Sequence, residues 1–339
     1  MKDLLKLHLV ALLAMSLVFT ACGDDDDDDN NVAPDSYAAF DDVSYTEASD
    51  RLSRVGELTT EMKKGNSGES VSEQTLLDIF NNSVASATAP DVVDDFRAYL
   101  SAHASISGTT DTASNGTAGI LYKEDGSGQY LVNAQGKEYI QLVEKGLFGA
   151  CFLYQIAQVL TIPSAVGEDV DEATRQANWD LAFGYLGVPQ DFPTVTEPRY
   201  GIGNYSNGRD DLLGTNQDLV TPFINGRFNI TEGAAVETEA RAGAAAAELV
   251  LAATGIHYIN SALNAGTDQA IVSHALSEAE AFIYGIQFNP NKTISDADWT
   301  KVLTLLGDNF FEVSSDNLTQ ARDILATAYG IESGIASQL

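Results

Sequence analysis

Apolar positions recur at helical spacing along most of the chain. The pattern predicts helices over about 45–63, 72–87, 90–105, 137–161, 168–186, 209–228, 234–264, 267–287, 295–309 and 315–329. Ser44-x-x-Glu47, Ser70-x-x-Glu73 and, more loosely, Ser295-x-x-Asp298 fit the capping box, in which a hydroxyl takes the third helical amide and a carboxylate reaches back to the cap. Pro90 suits a first helical turn. Residues 137–160 are apolar on nearly every side, the pattern of a helix buried all round. Residues 234–262 include Arg241 followed by a run of Ala and Gly, small side chains that let neighbouring backbones come close.

One stretch breaks the helical period. Gly-Ile-Leu-Tyr and Gln-Tyr-Leu-Val flank Asp125-Gly126-Ser127-Gly128, which predicts a β-hairpin. Residues 187–208 are rich in Pro, Gly and aromatics and predict a long loop, a kind of segment that often carries function. The expected fold class is all-α, with a small β-hairpin flap. Residues 37–339 are long enough for one large domain or two fused bundles.

The N-terminus adds an address. Lys2 and Lys6 precede an apolar run too short for a comfortable membrane span, and small residues follow it. Residues 1–21 therefore read as a lipoprotein signal peptide, with Cys22 as the acylated residue. Phe19 stands where a lipobox usually has Leu, and a plain secretory signal is the alternative. Residues 22–36 form an acidic linker. Its Asp24–Asp29 run is either a solvated spacer or resembles the export signal that sends Bacteroidota lipoproteins to the outer face of the outer membrane. The expected location is the outer membrane, lipid-anchored at the cell surface or otherwise on the periplasmic side.

Charge narrows the partners. With 18 Lys+Arg against 49 Asp+Glu, the net charge is −31. Such a field repels nucleic acid and anionic membrane surfaces, so membrane contact is expected through the lipid alone. Cys151 lies in an apolar run and has no partner once Cys22 is acylated, so it reads as a buried, inert thiol.

Three histidines follow the signal peptide: His103, His257 and His274. HExxH, CxxC, GxSxG and P-loop signatures are absent from the sequence, which disfavours familiar zinc proteases and hydrolases. Glu278 lies four residues after His274, on the same helix face, and His257 sits on the preceding helix at a similar distance from the turn. The three form a candidate site for a divalent or iron cation. The rival reading makes each histidine a hydrogen-bonded interior residue. Asp180, beside Trp179 in an apolar helix, is expensive to bury unless paired; Arg227 and Arg241 are candidate partners. An internal ion pair and a pocket lining both fit.

The segments 145–155, 178–187, 223–227, 255–260 and 274–282, in that order, resemble an uncharacterised group of Bacteroidota lipoproteins that is similar to the imelysin-like proteins. The resemblance implies one or two helical bundles and a link to bacterial iron uptake, with a protease role claimed for some members. Gly255 and His257 match the family's G-x-H-x-x-E hallmark, but Asn260 stands where the glutamate belongs. An amide is a poorer cation ligand than a carboxylate. Trp179, Asp180, Arg227, His257 and Asn260 are the expected groove. Asp111-Thr112-Ala113 resembles the site at which Bacteroidota glycosylate exported proteins, with Thr112 as acceptor. The functional expectations are a binding or accessory protein in metal or iron acquisition, a metal-dependent peptidase-like hydrolase, and a surface scaffold for another outer-membrane protein.

Overall fold

Short polar side chains decide where several helices begin in the computed structural model, which describes residues 32–339. The signal peptide, Cys22 and the aspartate run lie outside the described residues. The helices are α1 (Thr46–Lys63), α2 (Glu73–Ile79), α3 (Ala85–Ala87) and α4 (Val93–Ile106), followed by strands β1 (Gly119–Tyr122) and β2 (Gln129–Val132). Then come α5 (Tyr139–Leu147), two π-helical segments (Phe148–Leu153 and Gln155–Leu160), α6 (Pro163–Val166), α7 (Glu172–Gly184), α8 (Gly201–Leu213) and α9 (Thr215–Thr231). The last helices are α10 (Glu237–Asn264), α11 (Gln269–Gly285), α12 (Asp296–Leu306), α13 (Ser315–Ala328) and α14 (Ser333–Ala336). The described fold is all-α with one small antiparallel hairpin.

Ser295 caps α12 through the hydroxyl half of its motif: its Oγ accepts from the Asp298 amide at 3.1 Å, while the Asp298 carboxylate takes that hydroxyl at 2.8 Å rather than the cap amide. The other two boxes are not formed. Tyr45 occupies the N-cap of α1, and the Ser44 amide donates to Asp180 Oδ2 at 3.4 Å instead. Ser72, not Ser70, caps α2, while Glu73 accepts from Ser101 at 2.6 Å. The helix expected over 72–87 is broken at Asn82 and Ser83, which leave helical geometry, Ser83 at φ 112°.

The largest departure lies in 187–208. The predicted loop ends at Tyr200, and α8 begins at Gly201. Its glycine-rich sequence reads as coil, yet the glycines serve packing. A Cβ on Gly203 would stand 2.0 Å from Val188 Cγ1. Tertiary packing here outweighs a helix propensity that disfavours Gly by about 1 kcal/mol.

The hairpin pairs Gly119 with Val132 through Tyr122 with Gln129. Gly126, at φ 72°, makes its turn. The hairpin is fastened to the body: Leu131 N–H donates to Asn66 Oδ1, and the Glu124 amide to Asp268 Oδ2, both at 2.8 Å. Thr112 is exposed and its backbone bridges Ile120 beside the hairpin.

Residues 33–339 cluster as one unit. Its centre is α10, α11 and the run from α5 through the π-helical segments, as the all-round apolar pattern of 137–160 predicts. From Ile140 to Leu153 every residue is buried. Gly149 lies against Gly285, where a Cβ would meet the Gly285 Cα at 2.1 Å. Cys151 is fully buried here, and burial pushes its thiol up to about 12.

Candidate binding groove

On α1, Ser49, Leu52, Ser53, Gly56 and Thr60 follow helical spacing and share one face. This face forms a wall of a groove of about 1010 Å³. Gly184, Gly187, Val188, Pro189, Gln190, Pro198, Arg199 and Tyr200 form the other side, with Tyr45 at one end. Gly187 is required there: its φ is 70°, and a Cβ would stand 2.3 Å from the Tyr200 carbonyl oxygen. Gly56 is different. It sits in mid-helix at negative φ, and a Cβ on it would meet nothing within 4 Å. A mid-helix glycine costs about 0.5–1 kcal/mol relative to Ala, and local packing does not repay that here.

The groove chemistry is unlike the rest of this acidic chain. Among the described residues that line it there is no carboxylate; the charged side chain is Arg199. Arg199 Nη1 donates to the Thr196 carbonyl at 3.0 Å and contacts Glu197, but its buried Nε has no hydrogen-bond partner. A buried donor left unpaired costs about 1–3 kcal/mol; Nε is closed to solvent, so a ligand in the groove would meet the exposed remainder of the Arg199 side chain.

Tyr200 connects the groove to the core. Its hydroxyl donates to Glu144 Oε1 at 3.1 Å, and Glu144 Oε2 meets Lys145 Nζ at 2.6 Å. Lys145 lies 3.6 Å from Glu278, which lies 3.6 Å from His274 Nε2. His274 Nδ1 then meets Glu138 Oε2 at 2.6 Å. The Tyr130 ring of β2 stacks on His274 with centroids 4.1 Å apart. A polar chain thus runs from the groove wall, through the α5–α11 seam, to the hairpin. Burial would lower the Lys145 and His274 pKa values, but their carboxylate neighbours outweigh it and hold both above ordinary values. Burial raises the Glu278 carboxyl against the pull of Lys145 and His274.

The predicted metal triad is not assembled. The fold does bring His274 beside Glu278, but Glu138 and Lys145 are the partners that complete their surroundings. His257 Nδ1 instead contacts the Leu339 carbonyl, and desolvation lowers its pKa. Among the described residues no group of three or more His, Cys, Asp or Glu is placed to hold a metal. Asn260 Nδ2 donates to the Ala336 carbonyl at 2.7 Å, so both hallmark positions secure the segment around α14.

Trp179, Asp180 and Arg227 are core residues rather than a groove lining. Trp179 Nε1 donates to the Phe223 carbonyl at 2.8 Å. Asp180 takes Arg227 Nε at 3.0 Å and the Tyr37 hydroxyl at 2.6 Å, the internal ion pair that the sequence allowed. Arg241 lines a different cavity with Thr161 and Asn289. His103 is also interior, its Nε2 2.9 Å from the Met62 carbonyl.

Sequence reasoning placed Arg199 and Tyr200 only within the 187–208 loop, without a role in a groove, and missed Gly56, Glu138, Glu144 and Lys145. One signal was present for the last two: adjacent charges in a helix otherwise apolar on every side. The family model described as Domain of unknown function (DUF4856) matches residues 59–332. Neither a curated protein nor a solved structure matches the chain.

Proposed function

Because the chain belongs to the family described as Domain of unknown function (DUF4856), we propose its role from its own geometry: a lipid-anchored, extracytoplasmic binding protein that takes an oligosaccharide in the α1 groove. The observation that carries this reading is a roomy groove whose lining holds the Arg199 side chain and no carboxylate. Tyr45 and Tyr200 supply aromatic faces, while Ser49, Ser53, Thr60 and Gln190 supply hydroxyl and amide groups. Mixed apolar walls with a few polar groups suit an organic ligand, and this polar set suits one rich in hydroxyl oxygens.

The lipid anchor, the outer-membrane address and the kinship with imelysin-like proteins enter this proposal on the sequence motifs alone. The iron and hydrolase readings leaned on the His257–His274–Glu278 triad and are not carried forward. A role as a scaffold for another outer-membrane protein has no specific contact surface to favour it.

The test is a glycan array probed with the mature protein, followed by calorimetry on each hit. Arg199→Ala should weaken binding by about tenfold or more, the worth of a hydrogen bond from a charged donor. No glycan hit, or hits indifferent to Arg199→Ala, would reject the groove as a sugar site.

A further inference from the structure

A second cavity, of about 300 Å³, lies where α4, α5, α11 and α12 meet. Tyr99, Tyr284 and Trp299 give it aromatic walls, and Leu142 and Leu303 add apolar surface. Trp299 is half-buried, and its Nε1 donates to the Ile283 carbonyl at 2.8 Å, which holds the indole against α11. The other tryptophan, Trp179, has the Phe223 ring beside it, with centroids 5.9 Å apart. Among the described residues no aromatic ring is paired with Trp299 in this way. A pinned indole in a cavity wall, with no ring of the protein against it, is a stacking surface left open.

The charges narrow what such a surface can take. Glu280 lines the cavity, but its Oε1 is paired with Lys137 Nζ at 2.8 Å and its Oε2 is closed to solvent, so this carboxylate has nothing to offer a cation. Asp308, exposed among the lining residues, and the net charge of −31 both disfavour an anion. What remains is a neutral molecule with a flat apolar face. Size agrees: an apolar cavity of about 150 Å³ holds a benzene ring, so one of about 300 Å³ holds a ring with a short substituent.

We propose that this cavity is a binding site for a small neutral aromatic molecule, one ring bearing a short polar substituent, that stacks on Trp299. The ring lies against the indole in the offset or edge-to-face geometry that aromatic pairs prefer, and it removes the leucine and tyrosine surface from water. The substituent keeps to the open side, where Thr304 and Asp308 are exposed and its hydrogen bonds to water are retained. The site shares no lining residue with the α1 groove and does not rest on the sugar reading.

The probe is benzyl alcohol, titrated into the mature protein by calorimetry and by tryptophan fluorescence excited at the red edge, where the probe does not absorb. Trp179 is fully buried elsewhere in the core, so a ligand-dependent change reports on Trp299. Cyclohexylmethanol, with the same hydroxyl and no π-system, is the control. The expected result is saturable binding of benzyl alcohol, with the saturated ring weaker by about threefold or more. Trp299→Leu should erase that preference. Leu303→Phe and Thr304→Phe fill the cavity from a half-buried and an exposed position, and each should abolish binding, so the exposed variant keeps the test open if the other does not fold. The proposal is overturned by the absence of saturable binding at millimolar probe, by cyclohexylmethanol binding as tightly as benzyl alcohol, or by unchanged binding in the filled variants.

Discussion

Where the first π-helical segment crosses α11, a methyl group at Gly149 would stand 2.1 Å from Gly285 Cα; on the open face of α1, a methyl group at Gly56 would meet nothing within 4 Å. The two regions differ in everything around these glycines. The seam is closed, and its charges, Glu138, Glu144, Lys145, His274 and Glu278, are engaged with one another. The α1 face is open, and its charge, Arg199, stands in a lining without a carboxylate. A glycine in the seam is there for contact. The glycine on α1 leaves a space, at a cost to the helix, and that cost argues that the space is used.

The largest effect should come from the seam's cation. Lys145→Met removes the ammonium that Glu144 and Glu278 share, leaving buried carboxylates uncompensated. The expected loss is about 3–5 kcal/mol at neutral pH, read from urea unfolding. The deficit should shrink in mild acid, because a protonated carboxyl needs no cation. A loss under about 1 kcal/mol would mean that water or rearrangement screens the cluster. Next is Gly149→Ala, which forces backbone apart at the helix crossing. Overpacking of this kind costs about 1–3 kcal/mol, and the melting temperature should fall accordingly. Gly56→Ala should do the reverse, stabilising the fold by about 0.5–1 kcal/mol. If the two alanine variants shifted stability in the same direction, the contrast drawn here would fail.

A smaller effect concerns pH. The His274 pKa is raised, since Glu138 and Glu278 outweigh burial. Its pairing therefore contributes stability that is fully present below the ordinary imidazole value and is lost as pH rises through the raised one. The melting-temperature gap between wild type and His274→Gln should be widest in mild acid and narrow above neutrality. A gap that is flat with pH, or that widens upward, contradicts the charge state assigned to the seam.

How much of this was legible beforehand depends on how local each feature is. The hairpin and the Ser295 cap are written in neighbouring residues; the hairpin forms as read, and the cap forms in its hydroxyl half. The polar chain is not local: His274 and Glu138 are 136 positions apart, and Tyr200 and Glu144 are 56 apart. His274 and Glu278 share a helix turn, so their meeting was readable, whereas His257 facing them required a helix-pair register that spacing does not set. The start of α8 was hidden because glycines chosen for close packing look like coil. Gly56 carried no signal at all, since its meaning is the empty space beside it.

Occupation of the α1 groove by a ligand can be read from a single pair of titrations. Calorimetric titration of a glycan-array hit into wild type and Gly56→Leu should show binding lost or weakened by at least about tenfold in the variant, while its thermal stability is kept. Equal affinity in the two proteins, with the leucine side chain in the groove, would mean that the ligand does not bind there.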